Sequence, residues 1–365
     1  MGKKKILLTG GGSAGHITVN LALIPLLLQS GWQIIYIGSI AGIERELISK
    51  IPEVKYYEIS TGKLRRYFDL QNFTDFFRVV KGVFEAYQII HREQPNVVFS
   101  KGGFVSVPVV IGSSAIGIPI ITHESDLTPG LANRINMYFA QKVCTTFPDT
   151  VQHLPKGKGE FIGAIVRPEL KQGDAEKGRI FCQFNSQKPV ILVTGGSLGS
   201  AYINQTVYSL CDCAPRTSKA DRLLEEFQIV HICGKGNLNE SLEYEGYKQF
   251  EYVSDGLADL MCLADVVISR AGSNFIFEFL VLKKPMILIP LSKKSSRGDQ
   301  IDNARVFEKQ GFAEVILEED LTEDLLLDKI DAVFSDRRKY WDRMGNYNRD
   351  NSLAKLFDLI TDAAN

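Results

Sequence analysis

The stretch ILLTGGGSAGH, residues 6–16, joins a short apolar run to a glycine-rich turn that ends at His16. A strand followed by such a turn and a helix presents backbone N–H groups at the helix N-terminus, where the helix dipole and the unpaired donors attract phosphate. Two more turns follow strand-like runs in the same way, KGGF at residues 101–104 and TGGSLGS at residues 194–200. Three such turns in one chain predict phosphate groups on two different ligands.

Short apolar runs alternate with amphipathic stretches along the chain, a pattern typical of parallel sheets covered by helices on both faces. The predicted strands are residues 6–9, 33–37, 96–100, 119–123 and 142–146, and then, after a restart, 189–194, 228–233, 266–269, 285–290 and 313–316. The expected fold class is α/β, with two doubly wound Rossmann-like domains facing each other across a ligand-binding cleft. We place these domains at residues 1–163 and 164–336, with a C-terminal helix at 337–365 packing back towards the first.

Composition excludes several classes of protein. The chain has 365 residues and a formal net charge of −1, so no overall basicity points to nucleic acid. Its six cysteines are scattered without the spacing of metal ligands, which favours reduced thiols inside the cell. We find no signal peptide and no membrane-spanning run, so any contact with a membrane is expected to be peripheral.

The first turn also matches the dinucleotide pattern G-x-G-x-x-G through Gly10, Gly12 and Gly15. A nicotinamide site needs an acidic residue at the end of the second strand to bind the ribose, but that strand ends in Gly38 and Ser39. An oxidoreductase is therefore disfavoured. His16 at the start of the helix is expected to be an anion contact or a general base rather than a simple helix cap.

The glycine turns belong to an ordered set of motifs that spans nearly the whole chain. These motifs are GIERE (42–46), SKGGFVSVP (100–108), HESDLTPGLAN (123–133), GGSLGS (195–200) with Asn204, SRAGSN (269–274) with Glu278, and DQIDNA (299–304). In this set the sequence resembles the MurG family of peptidoglycan N-acetylglucosaminyltransferases. The resemblance implies a GT-B glycosyltransferase whose C-terminal domain binds UDP-N-acetylglucosamine. Its N-terminal domain would bind the lipid acceptor, undecaprenyl-pyrophosphoryl-MurNAc-pentapeptide.

The resemblance also implies roles for individual residues. Glu278 would bind the two ribose hydroxyls, and the backbone near Val253 would bind the uracil. The full donor-binding set is Arg167, Gly195, Gly196, Ser197, Gly199, Asn204, Val253, Asn274, Glu278, Gln300 and Asn303. The acceptor-binding set is Gly11, Gly12, Ser13, Gly15, Lys101, Gly102, Gly103, Phe104 and Asn133. On the residue pattern alone, an ion pair for Arg167 and helix capping by Gln300 and Asn303 stay equally open.

The expected chemistry is an inverting displacement that needs no cofactor. The chain has no Asp-x-Asp pair to hold a metal, so the helix terminus and hydrogen-bond donors of the third turn would stabilise the departing UDP. The candidates for the general base are His16, Glu124 and Asp126, with His16 first because imidazole titrates near neutral pH. Two departures from the family pattern are noted: HESD where many members have HEQN, which adds a carboxylate, and Phe275 in place of a small polar residue.

A basic and aromatic loop is the predicted membrane contact. It comprises Lys63, Arg65, Arg66, Tyr67 and Phe68, followed by an apolar stripe over residues 73–87 at helical spacing. Cations of such a segment meet anionic headgroups while aromatic rings enter the interface. For the stripe, ordinary packing of a helix on its sheet is the competing interpretation. Location at the cytoplasmic face of a bacterial membrane follows from these expectations.

Two functions of other classes remain open at this point. A UDP-N-acetylglucosamine epimerase would use the same two-domain fold but needs acid and base groups for a sugar carbon. A non-catalytic sugar-nucleotide-binding protein would tolerate the loss of His16.

Overall fold

The structure is a computed structural model, and it describes residues 3–62, 71–196, 198–211, 223–347 and 351–365. The chain divides into two compact units, one of residues 1–165 with 349–365 and one of residues 166–348. Each unit contains a parallel β-sheet flanked by helices, which confirms the predicted α/β class.

The first unit is built on a seven-stranded sheet. Its strands are β1 (Lys5–Thr9), β2 (Gln33–Ser39), β3 (Val54–Ile59), β4 (Val97–Ser100), β5 (Ile120–Glu124), β6 (Lys142–Thr145) and β7 (Gly159–Phe161). The helices between them are α1 (Thr18–Gln29), α2 (Ile43–Ile48), α3 (Gln71–Glu93), α4 (Ser106–Ile116) and α5 (Leu131–Phe139). The strand order is β3-β2-β1-β4-β5-β6-β7, so the carboxyl ends of β1, β4 and β5 meet at one edge of the sheet.

The second unit has a six-stranded sheet of the same kind. Its elements in chain order are α6 (Ala175–Phe181), β8 (Val190–Thr194), α7 (Ala201–Cys211), β9 (Gln228–Ile232), β10 (Tyr247–Phe250), α8 (Leu257–Leu263), β11 (Val266–Ser269), α9 (Ser273–Val281), β12 (Met286–Leu288), α10 (Asp299–Lys309), β13 (Ala313–Val315), α11 (Glu323–Ser335) and α12 (Arg337–Gly345). The strand order is β10-β9-β8-β11-β12-β13. The inner strand β8 is wholly buried, as its unbroken apolar run predicts.

The end of the chain differs from the expected single helix at 337–365. Helix α12 ends at Gly345 and belongs to the second unit, while a separate helix, α13 (Ser352–Ala363), belongs to the first. Leu356 and Ile360 of α13 are buried in the same core cluster as Leu23 and Leu27 of α1. Glycine and asparagine are poor helix formers, so the Gly345-Asn346 pair is a natural end for α12.

Candidate active site

In the first unit, the turns after β1 and β4 are in direct contact. Gly103 has φ +79°, and a Cβ at this position would overlap the carbonyl oxygen of Gly11 and lie 3.0 Å from Cδ2 of His16. A side chain at residue 103 would therefore separate the two turns. The N–H of His16 donates to the carbonyl of Ser13 (3.1 Å), which closes the first turn just before α1. The structure thus brings His16 next to the KGGF turn, as the sheet order requires.

A buried carboxylate that sequence analysis had left without a role organises the first turn. Glu44 of α2 is fully buried and accepts hydrogen bonds from the N–H of Gly12 (3.2 Å), the N–H of Ser39 (3.1 Å) and the Ser39 hydroxyl. The Gly12 N–H, which was expected to face the acceptor, is therefore engaged inside the protein. The motif GIERE contained the signal, but the pairing depends on β1 and β2 being neighbours.

Other predicted acceptor residues pack around this turn. The ring of Phe104 lies against Gly12, where a Cβ would overlap it. Ser13 is exposed and Gly15 is half-buried. Ser13 is therefore accessible to a ligand.

Glu124 at the end of β5 is a loop-organising residue. Its Oε1 accepts from the N–H of Asp126 (2.9 Å), and its Oε2 accepts from the N–H of Gly130 (2.9 Å) and from Nδ2 of Asn133 (3.0 Å). Burial raises the pKa of Glu124, and the neighbouring charge of Asp126 adds to this shift. Asn133 also donates to the carbonyl of His123 (3.0 Å), so it too stabilises the loop. Asp126, in contrast, is half-buried.

Lys101 lies beneath this loop rather than on the surface. It is buried, and its Nζ donates to Oγ of Ser125 at 2.9 Å. Burial lowers the pKa of Lys101, while the charges of Glu124 and Asp126 oppose that shift. Lys101 therefore lies within electrostatic reach of both carboxylates of the HESD sequence. The next residue, Gly102, has φ +93° and packs on the side chain of Asn133.

In the second unit, the third glycine turn follows β8 and leads into α7. The N–H of Gly199 donates to the carbonyl of Gly196 at 3.0 Å, and the N–H of Gly196 donates to Oγ1 of Thr194 at 3.3 Å. A Cβ at Gly195 would overlap the N–H of Ser200, so the turn is compact. Ser197 lies outside the described residues, while the neighbouring Leu198 is 87% exposed.

A buried arginine supports the start of α7. Ser200 caps the helix by accepting from the N–H of Ile203 (3.4 Å), and the same Oγ accepts from NH2 of Arg270 at 2.6 Å. Arg270 also donates to the carbonyl of Ile289 (3.1 Å) and pairs with Glu318. The guanidinium of Arg270 thus lies beside the N-terminus of α7, and its charge is paired with that of Glu318. Arg270 belongs to the motif SRAGSN, yet sequence analysis missed its role because its partners follow other strands.

Arg167 and Glu278, predicted as separate donor contacts, bind each other. Nε of Arg167 donates to Oε1 of Glu278 at 3.0 Å and NH2 donates to Oε2 at 3.1 Å, a bidentate pair. Glu278 is 2% exposed and Arg167 is 26% exposed at the side chain, so this is not a surface ion pair. Burial raises the pKa of Glu278, and the guanidinium opposes this shift. The pair joins the start of the second unit to α9.

The remaining donor candidates bridge the loops after β11 and β12. Oε1 of Gln300 accepts from the N–H of Leu291 (3.0 Å), and Nδ2 of Asn303 donates to the carbonyl of Ala271 (3.2 Å). The alternative role as helix caps is wrong, since the N-cap of α10 is Gly298 and no side chain caps it. Val253 is buried and Asn274, at the start of α9, is half-buried.

Two parallel-sheet α/β units, each with a glycine turn at the carboxyl end of an inner strand, make up the GT-B fold. The chain belongs to glycosyltransferase family 28: the N-terminal domain of this family matches residues 6–145 and the C-terminal domain matches residues 190–357. The family resemblance read from the motifs is thereby confirmed.

The comparisons with individual proteins agree with this assignment. The chain is 55% identical over 363 residues, 99% of each chain, to the UDP-N-acetylglucosamine--N-acetylmuramyl-(pentapeptide) pyrophosphoryl-undecaprenol N-acetylglucosamine transferase of Geobacillus kaustophilus. The crystal structure of Acinetobacter baumannii MurG superposes with a TM-score of 0.75 at 21% identity, over 98% of this chain and 99% of that one. A UDP-GlcNAc 2-epimerase from Neisseria meningitidis, bound to UDP-GlcNAc, has the same fold (TM-score 0.67, 13% identity, 98% and 100% covered). The fold alone therefore does not separate a transferase from an epimerase.

Proposed function

We propose that this protein transfers N-acetylglucosamine from UDP-N-acetylglucosamine to the 4-hydroxyl of the MurNAc unit in undecaprenyl-pyrophosphoryl-MurNAc-pentapeptide. The products are the β-linked disaccharide lipid and UDP. The observation that carries this proposal is the 55% identity, across the whole chain, to a transferase named for this donor and acceptor. The chemistry of both units supports it.

The second unit supplies what a departing diphosphate needs. The turn after β8 places backbone groups and the N-terminus of α7 together, and Arg270 adds a buried cation beside Ser200. Arg167 contributes a second cation: a guanidinium has five N–H donors, and the pair with Glu278 uses two. Such preorganised charge stabilises the negative charge that develops on UDP as the sugar leaves. In this scheme Glu278 aims Arg167 as well as contacting the ribose.

The first unit supplies the base that takes the proton of the acceptor hydroxyl. Both oxygens of Glu124 are engaged by its own loop, which makes it a positioning residue. His16 and Asp126 are the two groups left for proton transfer, and we place His16 first because its ring adjoins the contact between the first two turns. A direct, inverting displacement needs no covalent sugar–enzyme intermediate.

The protein would meet its lipid substrate at the cytoplasmic face of the membrane. Helix α3 carries exposed rings at Phe76, Phe77 and Phe84, of which Phe84 is 62% exposed, and Lys81 lies beside them. Exposed aromatic groups next to cations suit an anionic lipid interface. The exposure of these rings favours this contact over the competing interpretation, ordinary packing of the helix on its sheet. The predicted loop of Lys63, Arg65, Arg66, Tyr67 and Phe68 lies outside the described residues.

Among the described residues, no helix combines the length and the apolar character needed to cross a bilayer. Attachment through α3 can be tested with vesicles of anionic lipid. Phe76→Ser with Phe84→Ser should abolish co-sedimentation, whereas Ile180→Ser, at an apolar position 75% exposed in the second unit, should leave it unchanged. If the Phe76/Phe84 double variant binds the vesicles as well as the Ile180→Ser variant does, α3 is excluded as the membrane contact.

The activity is tested with purified protein, UDP-N-acetylglucosamine and a short-chain analogue of the acceptor. Formation of disaccharide and UDP is expected, and activity should survive an excess of chelator. An epimerase would instead convert the donor without acceptor, and a binding protein would bind it without turnover. His16→Ala and Asp126→Asn then separate the two base candidates, since loss of a general base lowers kcat by roughly 10²–10⁴-fold. Wild-type turnover by both variants would refute the assignment of the base.

A further inference from the structure

A buried series of hydrogen-bonded side chains connects β10 and β9 to the third glycine turn. His231 of β9 is fully buried, with Nδ1 at 2.9 Å from the hydroxyl of Tyr247 on β10 and Nε2 at 3.1 Å from Oδ1 of Asn204 on α7. Burial lowers the pKa of His231 to about 3, so the imidazole is neutral near pH 7. The proposed reaction makes no chemical use of this histidine, which raises the question of what it does.

The direction of each hydrogen bond in this chain is determined. Nδ2 of Asn204 donates to the carbonyl oxygen of Cys233 at 2.8 Å, which leaves Oδ1 to face His231. Because an amide oxygen only accepts, Nε2 of His231 carries the hydrogen. Nδ1 must then accept, so the Tyr247 hydroxyl donates to it. The result is one continuous sequence of donors and acceptors from Tyr247 to the Cys233 carbonyl.

This series of hydrogen bonds ends at the carbonyl of Cys233, directly after β9, where the backbone touches the glycine turn. A Cβ at Gly199, where φ is +75°, would overlap the same Cys233 carbonyl oxygen that Asn204 holds. Asn204 itself lies on the first turns of α7, four residues after the Ser200 cap. Oδ1 and Nδ2 of its amide each bind a group inside the protein.

We propose that His231 is a positioning residue for the donor diphosphate. Through Asn204 it holds Gly199 and the start of α7 against the end of β9, and so fixes the N-terminus of α7 that a diphosphate would meet. This inference rests on the proposed function, because it takes the diphosphate of UDP as the ligand of the turn. A histidine suits the position because a single neutral ring accepts at one nitrogen and donates at the other.

Two variants test the role with graded severity. His231→Gln removes the bridging ring. Tyr247→Phe removes only the hydroxyl that donates to Nδ1 and leaves the Nε2–H bond to Asn204 in place. The matched control is Tyr340→Phe, since Tyr340 is also buried in the second unit and its hydroxyl donates to Glu314 at 2.9 Å. Circular dichroism establishes that each variant is folded.

The measurement is the affinity for UDP compared with that for uridine, which lacks the diphosphate. We expect His231→Gln to lower UDP affinity about tenfold and Tyr247→Phe about threefold, with uridine affinity unchanged, because the loss of one buried hydrogen bond corresponds to such factors. The KM for UDP-N-acetylglucosamine should rise in parallel, while the KM for the acceptor stays constant. Tyr340→Phe should change none of these values.

The possible results separate this inference from the function on which it rests. The positioning role alone would be overturned if the variants lost UDP and uridine affinity equally, or kept the wild-type ratio of UDP affinity to uridine affinity. A drop in the ratio with Tyr340→Phe would show general loosening of the unit and would also overturn it. A wild-type protein that binds UDP no more tightly than uridine would overturn the donor site itself.

Discussion

Replacing Glu278 by glutamine probes the ion pair that joins Arg167 to α9 in the second unit. The substitution keeps the shape of the side chain and removes its charge, so Arg167 is left with a neutral partner. Removing one member of a buried pair costs about 3–5 kcal/mol, but Arg167 is 26% exposed and water partly replaces the lost partner. We therefore expect the free energy of unfolding of the second unit to fall by about 2 kcal/mol.

A double-mutant cycle isolates the contribution of the pair. The variants are Glu278→Gln, Arg167→Met and the double variant. Since two direct hydrogen bonds join the side chains, the coupling energy should be about 1–2 kcal/mol. Urea unfolding, followed by a probe attached to the second unit, gives the stabilities, and calorimetric titration with UDP gives the affinities.

The two measurements distinguish stability from ligand binding. If Arg167 contacts the diphosphate, Arg167→Met should weaken UDP binding by about 1.5–3 kcal/mol, which exceeds its effect on uridine. Glu278→Gln should weaken the binding of UDP and of uridine together, because the carboxylate contact with the ribose is lost and the guanidinium of Arg167 is misplaced. Additive effects on unfolding, with no coupling, would refute the inference that the pair stabilises this unit. Unchanged UDP affinity in both single variants would remove both residues from the donor site.

Three further perturbations test the buried contacts. Burial lowers the pKa of His231 from 6.5 to about 3, so the stability that the neutral ring contributes is fully present above pH 6.5 and is lost as the pH falls towards 3. In urea unfolding at pH 5 and 7, the free energy of unfolding of wild type should fall by up to about 1.4 kcal/mol per pH unit more than that of His231→Gln. Equal dependence on pH in the two proteins would contradict this prediction. Glu44→Gln places an amide group against the N–H of Gly12 and should cost about 1–3 kcal/mol in thermal unfolding and raise the acceptor KM; an unchanged melting temperature would count against it. Gly199→Ala should weaken UDP binding at least tenfold by steric overlap, whereas Gly236→Ala, with the same φ of +75° and open space around it, should leave UDP affinity near the wild-type value.

The strands that sequence analysis missed share a position in the sheets. β3, β7 and β10 all lie at sheet edges, and their residues are largely half-buried or exposed, as in YKQF at 247–250. Strands covered by helices and by neighbours on both sides read as unbroken apolar runs, as β8 does. Edge strands lack that signature. Detection by apolar run therefore found the inner strands, which position the glycine turns, and one edge strand, β13.

The sequence by itself determined the class of fold, the family and the location of the three glycine turns, because each of these is a local pattern of neighbouring residues. It also identified Arg167 and Glu278 as important. Their pairing, across 111 positions of sequence, was decided only by the tertiary structure. The same holds for Glu44 beneath the first turn.

His231 shows the difference most clearly. In the sequence it is one histidine in an apolar strand, and no motif marks it. Its role arises because β9 lies between β8 and β10 and because Asn204 of α7 reaches the same strand, so that Tyr247 and Asn204 meet its two ring nitrogens. Contacts of this kind depend on strand order and on the direction of each side chain, and a linear pattern contains neither.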